Sequence, residues 1–147
     1  MKLLLFLLFI NVFYLFAPVS YPISKDESTL FRCFSEQFTP ELLNEALQSF
    51  VSFPEVAMAQ SKLETGNFSS VNFRENNNLF GMRHPQVRET FSLGQSGFYA
   101  YYSHWIYSVW DYELMYRYYL SKGKDIHYFL EVYCPDEDYR TKLNSMI

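Results

Sequence analysis

A mainly α-helical (α+β) domain with a small β-hairpin lobe is the fold class that the sequence predicts, and three observations support it. Five segments carry apolar residues at helical spacing or the residues that begin and end helices. One stretch between them, residues 90–101, has two β-prone runs on either side of a glycine-containing turn. The length of 147 residues is enough for one domain with its own core and too short for two of ordinary size.

The first residues have the pattern of a secretory signal rather than of a folded element. A single lysine precedes an apolar run from Leu3 to Phe16, which matches the charged and hydrophobic regions of a signal peptide. We therefore expect residues 1–20 to be a signal peptide, with an uncleaved membrane anchor as the alternative. The protein is then exported to the periplasm, the cell envelope or the outside of the cell. Residues 21–38 are predicted to be a linker, and the domain to span residues 39–147.

Local signals define the first two helices. Thr39 and Pro40 are typical of a helix N-cap and a first helical residue, and an apolar stripe follows at helical spacing: Leu42, Leu43, Ala46, Leu47 and Phe50. Pro54 begins a second helix, whose inward stripe is Val56, Ala57, Gln60, Leu63 and Glu64. Gly66 stands where a C-terminal cap belongs, so this helix is predicted to end at Glu64 or Thr65.

The minor lobe and the remaining helices follow. Residues 90–92 and 98–101 flank the sequence Leu93-Gly94-Gln95-Ser96-Gly97, which predicts a small hairpin. Ser103 is predicted to cap a third helix with one apolar face, made of Trp105, Val109, Tyr112, Tyr116 and Leu120. Two more helices are predicted from Asp125 to Tyr133 and from Asp136 onwards, separated by Pro135.

Charge and composition narrow the classes of ligand. The formal net charge is −4 and no basic run occurs, which argues against nucleic acid, because its binding depends on clustered Lys and Arg contacts to phosphates. The 13 Tyr, 15 Phe and 2 Trp suit an aromatic-walled groove for sugars, although part of that content must form the core. No metal site or cofactor is predicted, because the histidines are scattered at His84, His104 and His127.

Glu64 is the main candidate for catalysis. It continues the stripe that buries Ala57, so its carboxylate is predicted to point inward near the negative end of a helix. Burial and the helix dipole both raise a carboxyl pKa. Such an acid stays protonated near neutral pH, which is what protonation of a glycosidic oxygen requires. On periodicity alone, a glutamate that merely lies at the helix edge is the alternative.

Four ordered motifs resemble the bacterial glucosaminidase-domain family. The helix end Ala59-Gln60-Ser61-Lys62-Leu63-Glu64-Thr65-Gly66 is similar to the family's Ala-Gln-x-x-Leu-Glu-Ser/Thr-Gly, and Asn77-Asn78-Leu79-Phe80-Gly81 to its Asn-Asn-Leu-Phe-Gly. Residues 102–112 resemble Tyr-x-Ser-Trp-x-x-Ser-x-x-Asp-Tyr, with His104 in place of a family serine. Residues 133–143 resemble Tyr-Ala-x-Asp-x-x-Tyr-x-x-Lys-Leu. Together the four motifs cover nearly all of residues 39–147.

The resemblance implies a lysozyme-like fold and a peptidoglycan hydrolase that cleaves β-1,4 bonds next to N-acetylglucosamine. Glu64 matches the family's general acid. Tyr102 matches a groove tyrosine implicated in catalysis, with a packed core tyrosine as the alternative. Asn78, Phe80 and Gly81 match the segment that binds the sugar, with simple turn formation by the asparagines as the alternative. The rival functions are a non-catalytic glycan-binding envelope protein and a muramidase or lytic transglycosylase.

The usual scheme for glycoside hydrolysis needs a second carboxylate. Glu89, just before the hairpin, is the first candidate, and Glu75 is near it in the sequence. Asp111 and Glu113 lie on the third helix, where one is expected to face solvent and the other the core. If none is suitably placed, the 2-acetamido group of the substrate is the alternative nucleophile.

The two cysteines allow two interpretations. In an exported protein, Cys33 and Cys134 are predicted to form one disulfide between the two ends of the domain. Two inert buried thiols are the alternative. We expect a monomer whose partner is peptidoglycan or another glycan containing N-acetylglucosamine, with membrane contact only through an uncleaved signal.

Overall fold

Helices make up most of the part of the chain that the computed structural model describes, residues 27–147. The helices are α1 (Glu27–Ser35), α2 (Pro40–Phe50), α3 (Pro54–Thr65), α4 (Val71–Asn76), α5 (Trp105–Ser121), α6 (Ile126–Tyr133) and α7 (Glu137–Asn144). Two short strands, β1 (Gly94–Ser96) and β2 (Tyr99–Tyr101), form an antiparallel hairpin between α4 and α5. The predicted fold class, mainly α with a β-hairpin, is therefore confirmed. The predicted signal peptide lies outside the described residues.

Local capping residues set most helix ends where the sequence predicted them. The Thr39 hydroxyl accepts a hydrogen bond from the Leu42 amide over 3.1 Å, and Pro40 is the first residue of α2. Helix α3 ends at Thr65, and Gly66 adopts the left-handed conformation with φ 55° as its C-cap. Asp125 and Asp136 cap α6 and α7 with their side chains. Each of these signals acts within one helical turn, which is why sequence alone reveals it.

Part of the predicted linker, residues 21–38, is folded as α1. Leu30 and Cys33 on this helix are buried and α1 packs against α2, where Arg32 reaches Glu45 across the surface with a 2.6 Å contact. The linker prediction is wrong for residues 27–35 because their helical stripe is short. The partner that buries this stripe, α2, lies in the following part of the chain.

The hairpin forms, but its first strand begins later than predicted. Gln95 lies opposite Ala100 in the register, so the strand is 94–96 rather than 90–92. The Ser92 hydroxyl donates to the Gly94 carbonyl over 2.7 Å, a local contact that bends the chain before the strand. His104, not Ser103, caps α5, because its Nδ1 accepts from the Ile106 amide over 3.3 Å.

Helix α5 is the centre of the core. It packs against α2 and α6, while α7 packs against α3. Its predicted inward face is buried at Trp105, Val109, Tyr112 and Tyr116, whereas Leu120 is 51% exposed. Stacking of the Phe80 and Tyr112 rings, with centroids 4.4 Å apart, joins the loop after α4 to this helix. Within residues 27–147, no helix is both long and apolar enough to cross a membrane.

Candidate active site

Glu64 occupies the last turn of α3, and the helix end is held firmly around it. The neighbouring Thr65 is fully buried, where its hydroxyl donates to the Ser61 carbonyl over 2.6 Å and accepts from the Phe68 amide over 2.8 Å. Glu64 itself is only partly buried. Glu64 therefore follows a helix backbone that is fixed by hydrogen bonds, and part of the residue is open to solvent.

The Glu64 carboxylate lies against the backbone of Gly81. A Cβ atom at position 81 would lie 2.6 Å from Glu64 Oε2, and Gly81 has the left-handed φ of +61°. Glycine is needed for both reasons, since any side chain would be strained and would displace the carboxylate. The family resemblance implied that Gly81 belongs to the segment that binds the sugar. In the structure, the group that approaches the Gly81 backbone is the Glu64 carboxylate.

The surroundings of Glu64 favour its protonated form. Burial raises its pKa, and a hydrogen bond with Tyr139 opposes that rise. None of the ion pairs found in residues 27–147 involves Glu64. A partly open carboxyl group with a raised pKa and no cationic partner has the properties of a general acid.

Asn78, which the resemblance implied to bind the sugar, has its side-chain amide bonded to backbone groups. It is fully buried, and its Nδ2 donates to the carbonyls of Met82 and Ala100, both over 2.9 Å. Its Oδ1 accepts from the Phe80 amide over 3.3 Å and the Met82 amide over 3.1 Å. The side chain satisfies backbone groups of a buried loop, which such a loop requires. It thereby holds the segment that carries Gly81 beside Glu64.

Phe80 was also predicted to bind substrate, and its side chain is buried as well. Its exposed fraction is 1%, because the ring stacks on Tyr112 inside the core. Its backbone carbonyl accepts a hydrogen bond from the Tyr133 hydroxyl on α6. Of the three residues predicted to bind the sugar, Gly81 lies against Glu64, and Asn78 and Phe80 are buried.

Tyr102 is buried, with 3% of its surface exposed, and its hydroxyl is committed to another residue. The hydroxyl donates to Asp111 Oδ2 over 2.7 Å. Burial and the negative charge of Asp111 together raise the pKa of this phenol. The described chain thus places Tyr102 in a buried network rather than on an open surface.

Asp111 is the centre of that network. It is fully buried and pairs with Arg88, whose side chain is 7% exposed, through a 2.7 Å contact to Oδ1. The Phe91 amide also donates to Oδ1, over 3.3 Å. Arg88 and Phe91 precede the hairpin and Tyr102 follows it, so one carboxylate ties both ends of the minor lobe to α5.

Of the other predicted carboxylates, two are exposed and two are buried. Glu75 and Glu89 are exposed. Glu113 is buried and bonded to Arg117 Nε over 2.7 Å and to the Ser52 amide over 2.9 Å. The expectation that one of Asp111 and Glu113 faces solvent is therefore wrong, because both are buried, with exposed fractions of 0% and 4%. No carboxylate of the described chain contributes to the pKa of Glu64.

The predicted disulfide between Cys33 and Cys134 is not formed, and both residues are free thiols. Cys33 is fully buried where α1 meets α2, and Cys134 is the partly exposed C-cap of α6, which packs on α5. The two sulfurs belong to different parts of the core, which sequence spacing does not reveal. Within residues 27–147, no three potential ligands among His, Cys, Asp and Glu are grouped to hold a metal ion.

Sequence reasoning missed the residues behind Glu64. Tyr133 on α6 and Tyr139 on α7 interact electrostatically with Glu64, and Gln60 on α3 links Tyr139 to Tyr112 on α5 through hydrogen bonds. The available signal was weak. Gln60 is on the predicted inward stripe of α3, where a polar residue needs a buried partner, and Tyr139 lies within the motif of residues 133–143.

A mainly helical domain with a partly buried acid at a helix end defines a candidate glycoside hydrolase. Residues 40–147 match the model of the Glucosaminidase family, described as mannosyl-glycoprotein endo-beta-N-acetylglucosaminidase. The match covers well over half of the chain, and the protein therefore belongs to this family of glycoside hydrolases. Neither the curated proteins nor the solved structures compared with it gave a match.

Proposed function

We propose that the protein hydrolyses β-1,4 glycosidic bonds next to N-acetylglucosamine in peptidoglycan, with Glu64 as the general acid. Family membership supports a glycan substrate, and the motif around Glu64 supports its role. We further propose that the protein is exported, acts as a monomer in the periplasm, the cell envelope or outside the cell, and contacts membrane only through an uncleaved signal.

The placement of Glu64 is the observation that carries this proposal. Its carboxyl group lies between the buried interior of α3 and the backbone of Gly81, where burial raises its pKa. A protonated carboxyl at a partly open position can give its proton to the leaving glycosidic oxygen. After the bond breaks, the resulting carboxylate can take a proton from the incoming water.

The 2-acetamido group of the substrate is the proposed nucleophile. No carboxylate of residues 27–147 contributes to the pKa of Glu64, and Asp111 and Glu113 are paired with Arg88 and Arg117, so we assign the nucleophile to the substrate. In substrate assistance, the acetamido oxygen attacks the anomeric carbon as Glu64 protonates the departing oxygen. Water then opens the cyclic intermediate and regenerates the acid. This route retains the configuration at the anomeric carbon.

Digestion of purified peptidoglycan tests the proposal. The full chain is incubated with the polymer, and the fragments are reduced with borohydride and identified by mass spectrometry. We expect fragments that end in reduced N-acetylglucosamine, and we expect Glu64→Gln to release none. Glu55→Gln is the matched control, because Glu55 is an exposed glutamate in the first turn of the same helix and should not affect cleavage.

The fragment ends also separate the rival functions. Reduced N-acetylmuramic acid would identify a muramidase, and a non-reducible 1,6-anhydro end would identify a lytic transglycosylase. If the folded wild type binds peptidoglycan but releases no fragments, the protein is a glycan-binding envelope protein and the hydrolase proposal is wrong.

A further inference from the structure

A series of polar side chains connects the buried core to Glu64. Tyr112 on α5 and Gln60 on α3 are buried, with exposed fractions of 2% and 0%. The hydroxyl of Tyr139 on α7 lies 3.5 Å from Gln60 Nε2, and it is close enough to Glu64 for the carboxylate to raise the pKa of Tyr139. Since Gln60 and Glu64 are four residues apart on one helix face, a single hydroxyl from α7 can reach both.

The atoms of the Gln60 amide give this line a direction. Its Oε1, which can only accept, receives the hydrogen bond of the Tyr112 hydroxyl. Its Nε2, which can only donate, then points to the Tyr139 oxygen over 3.5 Å. Because the Tyr139 oxygen accepts from Gln60, its own proton is free to be donated to the Glu64 carboxylate.

The remaining neighbours of Glu64 do not replace this contact. Tyr133 on α6 is the other phenol whose charge interacts with Glu64, but its hydroxyl donates to the Phe80 carbonyl. Gly81 presents backbone to the carboxylate and carries no side chain. Within the described residues, Tyr139 is thus the side chain whose hydrogen bond acts on the charged form of Glu64.

We propose that Tyr139 is a positioning residue for Glu64, and that the hydrogen bonds from Tyr112 through Gln60 to Tyr139 orient its hydroxyl to hold the carboxylate and stabilise its ionised form. This inference rests on the proposed function only where it treats Glu64 as the acid. The hydrogen-bond chain offsets part of the effect of burial. The acid can then be protonated before cleavage and ionised after it, as efficient acid–base catalysis requires.

The test is a direct titration of Glu64 in the full chain. Glutamate side chains are labelled with ¹³C at the carboxyl carbon, and the Glu64 signal is assigned by its loss in Glu64→Gln. We expect Tyr139→Phe to raise the pKa of Glu64, because a donor to the charged form is lost while burial remains. Tyr128→Phe is the control, since it removes a hydroxyl from a ring that packs on Tyr119. Its Glu64 signal should titrate as in the wild type.

A second variant tests the direction of the chain. Tyr112→Phe does not alter Tyr139 or Glu64, but it frees the Gln60 amide to turn over and present its oxygen to Tyr139. The Tyr139 proton would then go to Gln60, so we expect the pKa of Glu64 to rise, by less than in Tyr139→Phe. An unchanged or lowered pKa in folded Tyr139→Phe overturns the proposal. An unchanged pKa in folded Tyr112→Phe overturns the role of the directional chain.

The pH dependence of catalysis measures the same change in the pKa of Glu64 independently. If Glu64 is the acid, the basic limb of the pH profile of kcat/KM moves to higher pH in Tyr139→Phe, because the acid stays protonated longer. A role confined to folding would lower the amount of active protein without moving this limb. The titration does not need turnover. Absence of cleavage by the wild type would therefore overturn the proposed function and leave the result on Tyr139 intact.

Discussion

The Glu64 carboxylate occupies the space that a side chain at Gly81 would need, with Oε2 only 2.6 Å from the position of a Cβ. This contact joins the end of α3 to the loop after α4, two segments that are separate in the sequence. The acid is positioned by backbone on one side and by Tyr139 on the other. Its geometry therefore depends on both segments.

Gly81→Ala is expected to abolish most activity while the fold survives. Alanine at a left-handed position costs about 1–2 kcal/mol, and the added methyl group must push the Glu64 carboxylate aside. A displacement of that size is expected to lower kcat/KM by about 100-fold. Gly97→Ala is a matched control, because Gly97 has φ +60° and no atom within 4 Å of the added Cβ.

Urea denaturation and peptidoglycan turnover measure the two effects separately. Both variants should lose similar stability, since both glycines have a left-handed φ near 60°. Only Gly81→Ala should lose activity. Equal activity in the two variants would mean that the contact with Gly81 does not position the acid.

Glu64→Gln is expected to stabilise the fold at neutral pH and to have little effect in acid. Burial raises the folded-state pKa of Glu64, so the folded state binds its proton more tightly than the unfolded chain. The corresponding stability is complete below the unfolded pKa of about 4.3 and is lost as pH rises through the higher folded value. Glutamine has no charge to desolvate and avoids that loss.

Thermal unfolding of both proteins at pH 4 and pH 7 checks this sign. The difference in Tm, variant minus wild type, should be larger at pH 7. A difference that is the same at both pH values would show that the Glu64 pKa is not raised by folding.

Asp111→Asn is expected to lower the free energy of unfolding by about 3–5 kcal/mol, because it leaves the buried Arg88 without its counter-charge. Glu45→Gln is the comparison, since it removes a pair with Arg32 in which both side chains are 40% exposed or more. Loss of such a surface pair costs about 0–1 kcal/mol. Urea denaturation measures both, and similar losses in the two variants would contradict the buried pairing.

Both cysteines should react as free thiols in the unreduced protein. Burial raises the pKa of Cys33 to about 11, and the reactive species is the thiolate. Cys134 is partly exposed and should be alkylated first by iodoacetamide at pH 8, with Cys33 reacting after denaturation. Intact mass spectrometry follows the order. Failure of both to react until a reductant is added would restore the disulfide prediction.

Sequence revealed the elements whose signals are local and missed those that depend on distant partners. Thr39, Gly66 and Asp125 act within a turn of their own helices, so the helix ends were predicted correctly. Helix α1 was not predicted, because its apolar residues are buried against α2. An identical cap signal at Ser103 failed because the neighbouring His104 supplies the accepting atom.

The residues of the candidate site likewise divide into those with local sequence signals and those whose partners are distant in the sequence. The helical period placed Glu64 on the inward side of α3, and burial raises its pKa in the direction expected. The family resemblance implied that Asn78 binds the sugar, with turn formation by the asparagines as the alternative. The structure instead uses Asn78 to satisfy four backbone groups in the interior. Periodicity carries no information about such partners, since they lie in other segments.

The contacts of Asp111 have a consequence for motion. Arg88, Phe91 and Tyr102 bind this one carboxylate from both sides of the hairpin, so the base of the minor lobe is fastened to the longest helix at several points. Fluctuations of the lobe should then begin as fraying at its tip, residues 95–98, rather than as hinge opening at its base. In amide hydrogen exchange, protection should rise along both strands from tip to base.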